Sequence, residues 1–127
     1  MNFRFSMMLL MLSVLGFSQD LTVMSFNIRL NVESDKENAW PQRKQDVAEL
    51  LTYYHPDYFG VQEAVPQQMT DIKTSLKDYD YVGVGRDDGK NQGEYSAIFY
   101  DKTKLEVTKS GTFWLSETPE KPSKGWD

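Results

Sequence analysis

Two apolar runs end in polar side chains able to hold a hard cation. Met24-Ser25-Phe26-Asn27-Ile28-Arg29 carries the Asn27 amide, and Gly60-Val61-Gln62-Glu63 carries the Glu63 carboxylate. If two neighbouring strands carry these runs, one amide oxygen and one carboxylate arrive at the same sheet edge. Such an edge suits a divalent cation that prefers oxygen ligands and keeps several waters. Alternatively, Asn27 caps a turn and Glu63 is a solvated strand end.

Other chemistries are limited by composition. The 127 residues contain no cysteine and one histidine, His55, so thiolate zinc sites and His-rich clusters are excluded. A Ser-His-Asp triad would have to use His55, which precedes Pro56 at an expected helix end and reads as structural. The net charge of −5 and the lack of a basic cluster do not advertise electrostatic capture of nucleic acid. An acidic protein can still act on phosphate esters when a bound cation supplies the local positive charge.

The elements that must position Asn27 and Glu63 can be read from pattern. Leu21 to Leu30 is apolar on both alternations, which predicts a strand covered on both sides. Asn31 to Asn38 is a polar loop, and Pro41 suits the first turn of a helix whose stripe is Val47, Leu50, Leu51 and Tyr54. His55-Pro56-Asp57 stops it, because the residue before a proline avoids helical dihedrals. Tyr58 to Gln62 is a second strand, ending at Glu63. Pro66 opens a helix with Met69, Ile72 and Leu76 facing inward. Asp78 to Asp80 turns the chain into a strand over Tyr81 to Val84. After a glycine-containing loop from Gly85 to Gly93, further strands are expected at Tyr95–Tyr100, Leu105–Lys109 and Thr112–Leu115. Strand–helix units followed by consecutive strands indicate an α/β layered fold with a mixed sheet. Arg43 and Lys44 read as one solvated helix face.

The N-terminus has the form of a targeting segment. A positive start at Arg4 precedes an apolar run from Phe5 to Phe17, and Gly16 and Ser18 suit a cut before Gln19. The run is shorter than the ~20 residues of a membrane span. Residues 1–18 are therefore expected to be a secretory signal peptide and residues 19–127 the mature domain. That domain would have no transmembrane segment and would be secreted or periplasmic.

Five motifs occur in order: Met24 to Arg29, Pro56 to Glu63, Gly85-Arg86-Asp87-Asp88-Gly89, Gly93-Glu94-Tyr95-Ser96-Ala97-Ile98-Phe99-Tyr100, and Phe113-Trp114-Leu115-Ser116-Glu117-Thr118-Pro119. In this order they resemble the endonuclease/exonuclease/phosphatase family of metal-dependent phosphoesterases. The resemblance implies a DNase-like four-layered α/β sandwich, two mixed β-sheets flanked by helices, with a Mg²⁺ or Mn²⁺ site at one end. Glu63 matches the direct metal ligand, and Asn27 the position beside it. Glu94 matches the carboxylate that orients a catalytic histidine, and Arg86 is placed to reach a substrate phosphate. Asp87 and Asp88 read as a turn, and Tyr95 and Trp114 as core. The implied substrate is a phosphate ester: nucleic acid, inositol phosphate or phospholipid head group. The implied reaction is in-line attack of an activated water.

The family's Asp-x-Asn pair and terminal Asp-His pair have no counterpart in the chain, and no histidine follows Glu94. The expectation is therefore an incomplete, N-terminal portion of the domain, inactive by itself. A noncatalytic secreted binding module on the same scaffold is the alternative. Oligomeric state is not legible.

Overall fold

The computed structural model describes residues 20–125. The expected signal peptide at residues 1–18 lies outside them. Strand β1 (Val23–Asn27) leads through 3-10 turns at Glu33–Asn38 into helix α1 (Trp40–Tyr54). Then follow β2 (Tyr58–Ala64), α2 (Pro66–Ser75), β3 (Tyr79–Val82) and β4 (Tyr95–Asp101). The sheet order is β1-β2-β4-β3. β1 is parallel to β2, and β4 is antiparallel to both β2 and β3. These residues supply a helix layer and a mixed-sheet layer of the α/β fold that the motifs imply.

Pro41 and Pro66 stand in the first turns of α1 and α2, where a missing N–H costs nothing. α1 stops at His55, whose backbone is left-handed at φ 42° and ψ 55° and whose N–H still reaches the Leu51 carbonyl. Both helices pack on one face of the sheet. Trp40, Val47 and Leu51 from α1 and Met69 and Ile72 from α2 share one core with Phe59, Val61, Ala97 and Phe99. Phe59 and Phe99 stack with ring centroids 5.0 Å apart and planes within 4°. Among the described residues, no helix is long and apolar enough to cross a membrane.

Four expectations need correction. Among the described residues, β1 is the outermost strand of the sheet, with Met24 and Phe26 toward the core and Val23 54% exposed, so these residues cover it on one side only. β3 begins two residues earlier than expected, because the chain turns at Leu76–Tyr79, where the Tyr79 N–H bonds the Leu76 carbonyl. No strand forms at 105–109 or 112–115; their alternating pattern encodes extended backbone, but no neighbouring ladder pairs it among the described residues. Arg43 is not simply a solvated cation, as described below.

Candidate active site

The parallel pairing of β1 with β2 brings the C-terminal ends of both strands to one edge, with Asn27 opposite Gln62. β4 enters the sheet at that same edge, with Tyr95 opposite Ala64. Asn27, Glu63 and Glu94 are thus delivered to one end of the sheet from three adjacent strands.

Glu63 owes its aim to an irregularity. Between Val61 and Ala64, β2 spends one residue more than β4 does between Ala97 and Tyr95. Such a bulge redirects a side chain. Glu63 has φ +60°, and Arg29, just beyond β1, also has φ +60°. Side chains other than glycine adopt this conformation only when their surroundings enforce it.

The enforcing contacts are visible. Asn27 Nδ2 donates to Glu63 Oε1 at 2.8 Å, and Asn27 Oδ1 accepts the Arg29 N–H at 2.9 Å. Glu63 Oε2 accepts the Leu30 N–H at 3.1 Å. The Asn27 amide, then the Leu30 N–H and the nearby Arg29 charge, hold the Glu63 carboxyl below the usual carboxylate range. Glu63 therefore stays ionised at neutral pH. The Arg29 guanidinium is clamped by Asp35, with two bonds of 2.6 Å.

The residues Gly85–Gly93 form a tight loop. The Arg86 N–H donates to the Glu94 carbonyl at 3.1 Å, and Asp88 Oδ1 accepts the N–H groups of Lys90 and Gln92. Asp88 is thus a turn residue, as expected. The Arg86 guanidinium meets the Glu94 carboxylate at 3.1 Å. Trp114 is half-buried and holds this loop, donating from its indole to the Arg86 carbonyl at 2.8 Å. Tyr95 is core. His55 caps α1 ahead of β2, at the opposite end of that strand from Glu63, and its ring packs edge-on to Tyr79 at 5.9 Å.

Two residues behind the site were not anticipated. The Arg43 guanidinium donates to the backbone carbonyls of Ile28 at 3.0 Å, Arg29 at 3.5 Å and Asn38, and lies over the Trp40 ring. Gln68 is fully buried and bonds backbone groups beyond both β1 and β2. Its position three residues into a helix is a known capping location, the one signal that could have flagged it.

Among the described residues, no three His, Cys, Asp or Glu side chains converge as a metal-holding group. The donor set at the edge is one ionised carboxylate and one amide oxygen, both hard. That chemistry fits Mg²⁺ or Mn²⁺ holding most of its coordination shell as water or substrate oxygen.

The family model for the endonuclease/exonuclease/phosphatase family matches residues 24–121. A mannosyl-6-phosphatase of Bacteroides thetaiotaomicron is similar in structure, with a TM-score of 0.82 and 50% identity over 85% of this chain and 41% of that one. An endonuclease/exonuclease/phosphatase protein of Bacteroides vulgatus gives a TM-score of 0.84 and 42% identity over 87% of this chain and 42% of that one. A curated relative, an uncharacterized protein of Acanthamoeba polyphaga mimivirus, is 29% identical over 84% of this chain and 19% of its own length. The chain thus spans about two-fifths of the length of these solved structures.

Proposed function

Because this chain belongs to the endonuclease/exonuclease/phosphatase family, we propose that it forms the cation-binding edge of a phosphoesterase that hydrolyses phosphate monoesters of sugars. The observation that carries the proposal is the Asn27–Glu63 hydrogen bond at the shared end of β1 and β2. The 50% identity to a mannosyl-6-phosphatase favours a sugar phosphate over nucleic acid, as does the net charge of −5.

Each side chain has a distinct task. Glu63 offers an ionised carboxylate oxygen to the cation, and Asn27 holds that carboxylate through Nδ2 while its Oδ1, bonded to the Arg29 N–H, keeps its second lone pair for a water. A bound Mg²⁺ or Mn²⁺ supplies Lewis-acid polarisation of the phosphoryl oxygen. Arg86, anchored on Glu94, presents its remaining N–H groups to a phosphate oxygen; a guanidinium has five donors, so the ion pair leaves several free. Glu94 is further assigned to orient an imidazole from outside residues 1–127, whose only histidine is His55. The reaction is in-line attack of an activated water. With residues 1–18 as an export signal, it takes place outside the cytoplasm.

The test is an assay of the full-length protein with Mg²⁺ against mannose 6-phosphate, inositol phosphates, sphingomyelin and DNA. Sugar phosphate should be turned over fastest. Glu63→Ala should lower kcat/KM by at least about 100-fold, as expected when a group stabilising transition-state charge is removed. EDTA should abolish turnover. Equal turnover by wild type and Glu63→Ala would refute the assignment, and Mn²⁺ binding without turnover of any substrate would favour the binding module.

A further inference from the structure

Two backbone groups lie just beyond the proposed cation ligands. The Arg29 carbonyl is two residues past Asn27, and the Val65 N–H is two residues past Glu63. One side chain meets both. Gln68 donates from Nε2 to the Arg29 carbonyl at 2.9 Å and accepts at Oε1 from the Val65 N–H at 3.1 Å. Gln68 has no solvent exposure.

Capping of α2 explains only half of this. Val65 precedes the helix and has no side-chain acceptor, so Gln68 satisfies its N–H as capping would require. An acceptor alone would be enough for that, and glutamate would serve. The bond to Arg29, 39 positions away in sequence, needs a donor on the same side chain. Among side chains of this length, glutamine has a donor and an acceptor on one rigid amide; ionised glutamate lacks the donor, lysine lacks the acceptor and methionine has no N–H or O–H.

The turns it joins are the two that need holding. Arg29 and Glu63 both have φ +60°, a conformation that persists only where several contacts fix it. Arg43 grips the Ile28 and Arg29 carbonyls from α1, and among the described residues its hydrogen bonds all stay on the β1 side. The Glu63 carboxylate joins the turns on the open side, through the Asn27 amide and the Leu30 N–H, and Gln68 ties their backbones together from the buried side.

We propose that Gln68 is a positioning residue, whose buried amide sets the separation between the Asn27 and Glu63 turns and so the geometry of the cation edge. This rests on the reading of that edge as a cation site. The contribution is made through the backbone, and no contact with substrate is required. Groups that orient metal ligands typically change metal affinity by about 10–100-fold when removed.

The experiment measures the Mn²⁺ Kd of the full-length protein by titration calorimetry, together with its melting midpoint. Variants are Gln68→Met, Gln68→Glu, Glu63→Ala and, as a core control on the same helix, Ile72→Val. Gln68→Met and Gln68→Glu should both raise the Kd by about 10-fold or more. Ile72→Val should lower the midpoint and leave the Kd unchanged. An unchanged Kd in Gln68→Met overturns the positioning role while leaving the cation site standing. So does a Kd that tracks the midpoint in all variants, Ile72→Val included. Wild type and Glu63→Ala binding Mn²⁺ alike would overturn the cation site itself, and the positioning role with it.

Discussion

Arg43→Ala should destabilise the protein far more than Lys44→Ala, although the two cations are neighbours on one helix. Arg43 is half-buried and donates to three carbonyls: Ile28 at 3.0 Å, Arg29 at 3.5 Å and Asn38. A hydrogen bond involving a charged group contributes about 1.5–3 kcal/mol, and removing it leaves the Ile28 carbonyl beneath a residue that is 1% exposed. Its position over Trp40, 5.8 Å from the ring centroid, adds about 0.5–1 kcal/mol. The Arg29 bond is at the limit of useful length, and bonds sharing one side chain do not add fully. The net loss is therefore ~3 kcal/mol, which for a chain of this size lowers Tm by ~10 °C. Lys44 approaches Asp71 only at 3.8 Å with its side chain half exposed, and such a pair contributes ~0–1 kcal/mol. Lys44→Ala should shift Tm by no more than ~3 °C. Arg43→Lys should recover less than half of the Arg43→Ala loss, because one ammonium cannot serve three divergent acceptors. The measurement is differential scanning calorimetry of the four proteins at neutral pH. Equal shifts for Arg43→Ala and Lys44→Ala would refute the claim that Arg43 fastens the end of β1.

Two further predictions concern the opposite end of the sheet. Lys104, 2.7 Å from Asp57, and then the Thr22 N–H hold the Asp57 carboxyl below its usual range. A carboxyl depressed in the folded state supports the fold above its unfolded value of about 3.9, and that support fades as pH falls through the folded-state value. Lys104→Met should therefore move the acid-unfolding midpoint, followed by circular dichroism, to higher pH; an unmoved midpoint contradicts the pairing. Tyr79 donates its hydroxyl to the Pro56 carbonyl at 2.6 Å, and burial pushes its phenol up to about 12. A raised folded-state value leaves stability intact below the unfolded value of about 10 and erodes it as pH climbs toward the folded one. Tyr79→Phe should cost about 1–2 kcal/mol at neutral pH and flatten the alkaline limb above pH ~10, as read by urea unfolding across pH. An alkaline limb as steep as wild type would assign the titration elsewhere.

How much of the site was legible depends on how local its cause is. Asn27 and Glu63 could be found because each ends an apolar run, and a βαβ crossover brings the C-terminal ends of parallel strands together. The turn at Asp88 was equally local. Val23 and Leu21 have the apolar character of covered residues but are more than half exposed among the described residues, so alternation alone does not say which layer meets that face. The lack of a ladder at 105–109 and 112–115 among the described residues was not legible either, since an extended pattern does not specify its partner.

The bulge at Glu63 is a property of pairing, one extra residue of β2 counted against β4, and no pattern within β2 alone reveals it. Arg43 and Lys44 have the same character in sequence; only the carbonyls that β1 leaves beneath α1 separate them. Gln68 could be read as a cap, but its second bond reaches a residue 39 positions earlier. Sequence thus marks the polar groups placed where a strand ends, the proposed ligands among them. The groups that fix the Asn27 and Glu63 turns act across helix–strand contacts, and their types are dictated by backbone atoms far away in sequence. The proposed cation edge has two side-chain donors among the described residues, and it depends on that hidden layer more than a cluster of acids would. Each turn sets the angle of one proposed ligand, and the buried Gln68 amide bonds the backbone of both.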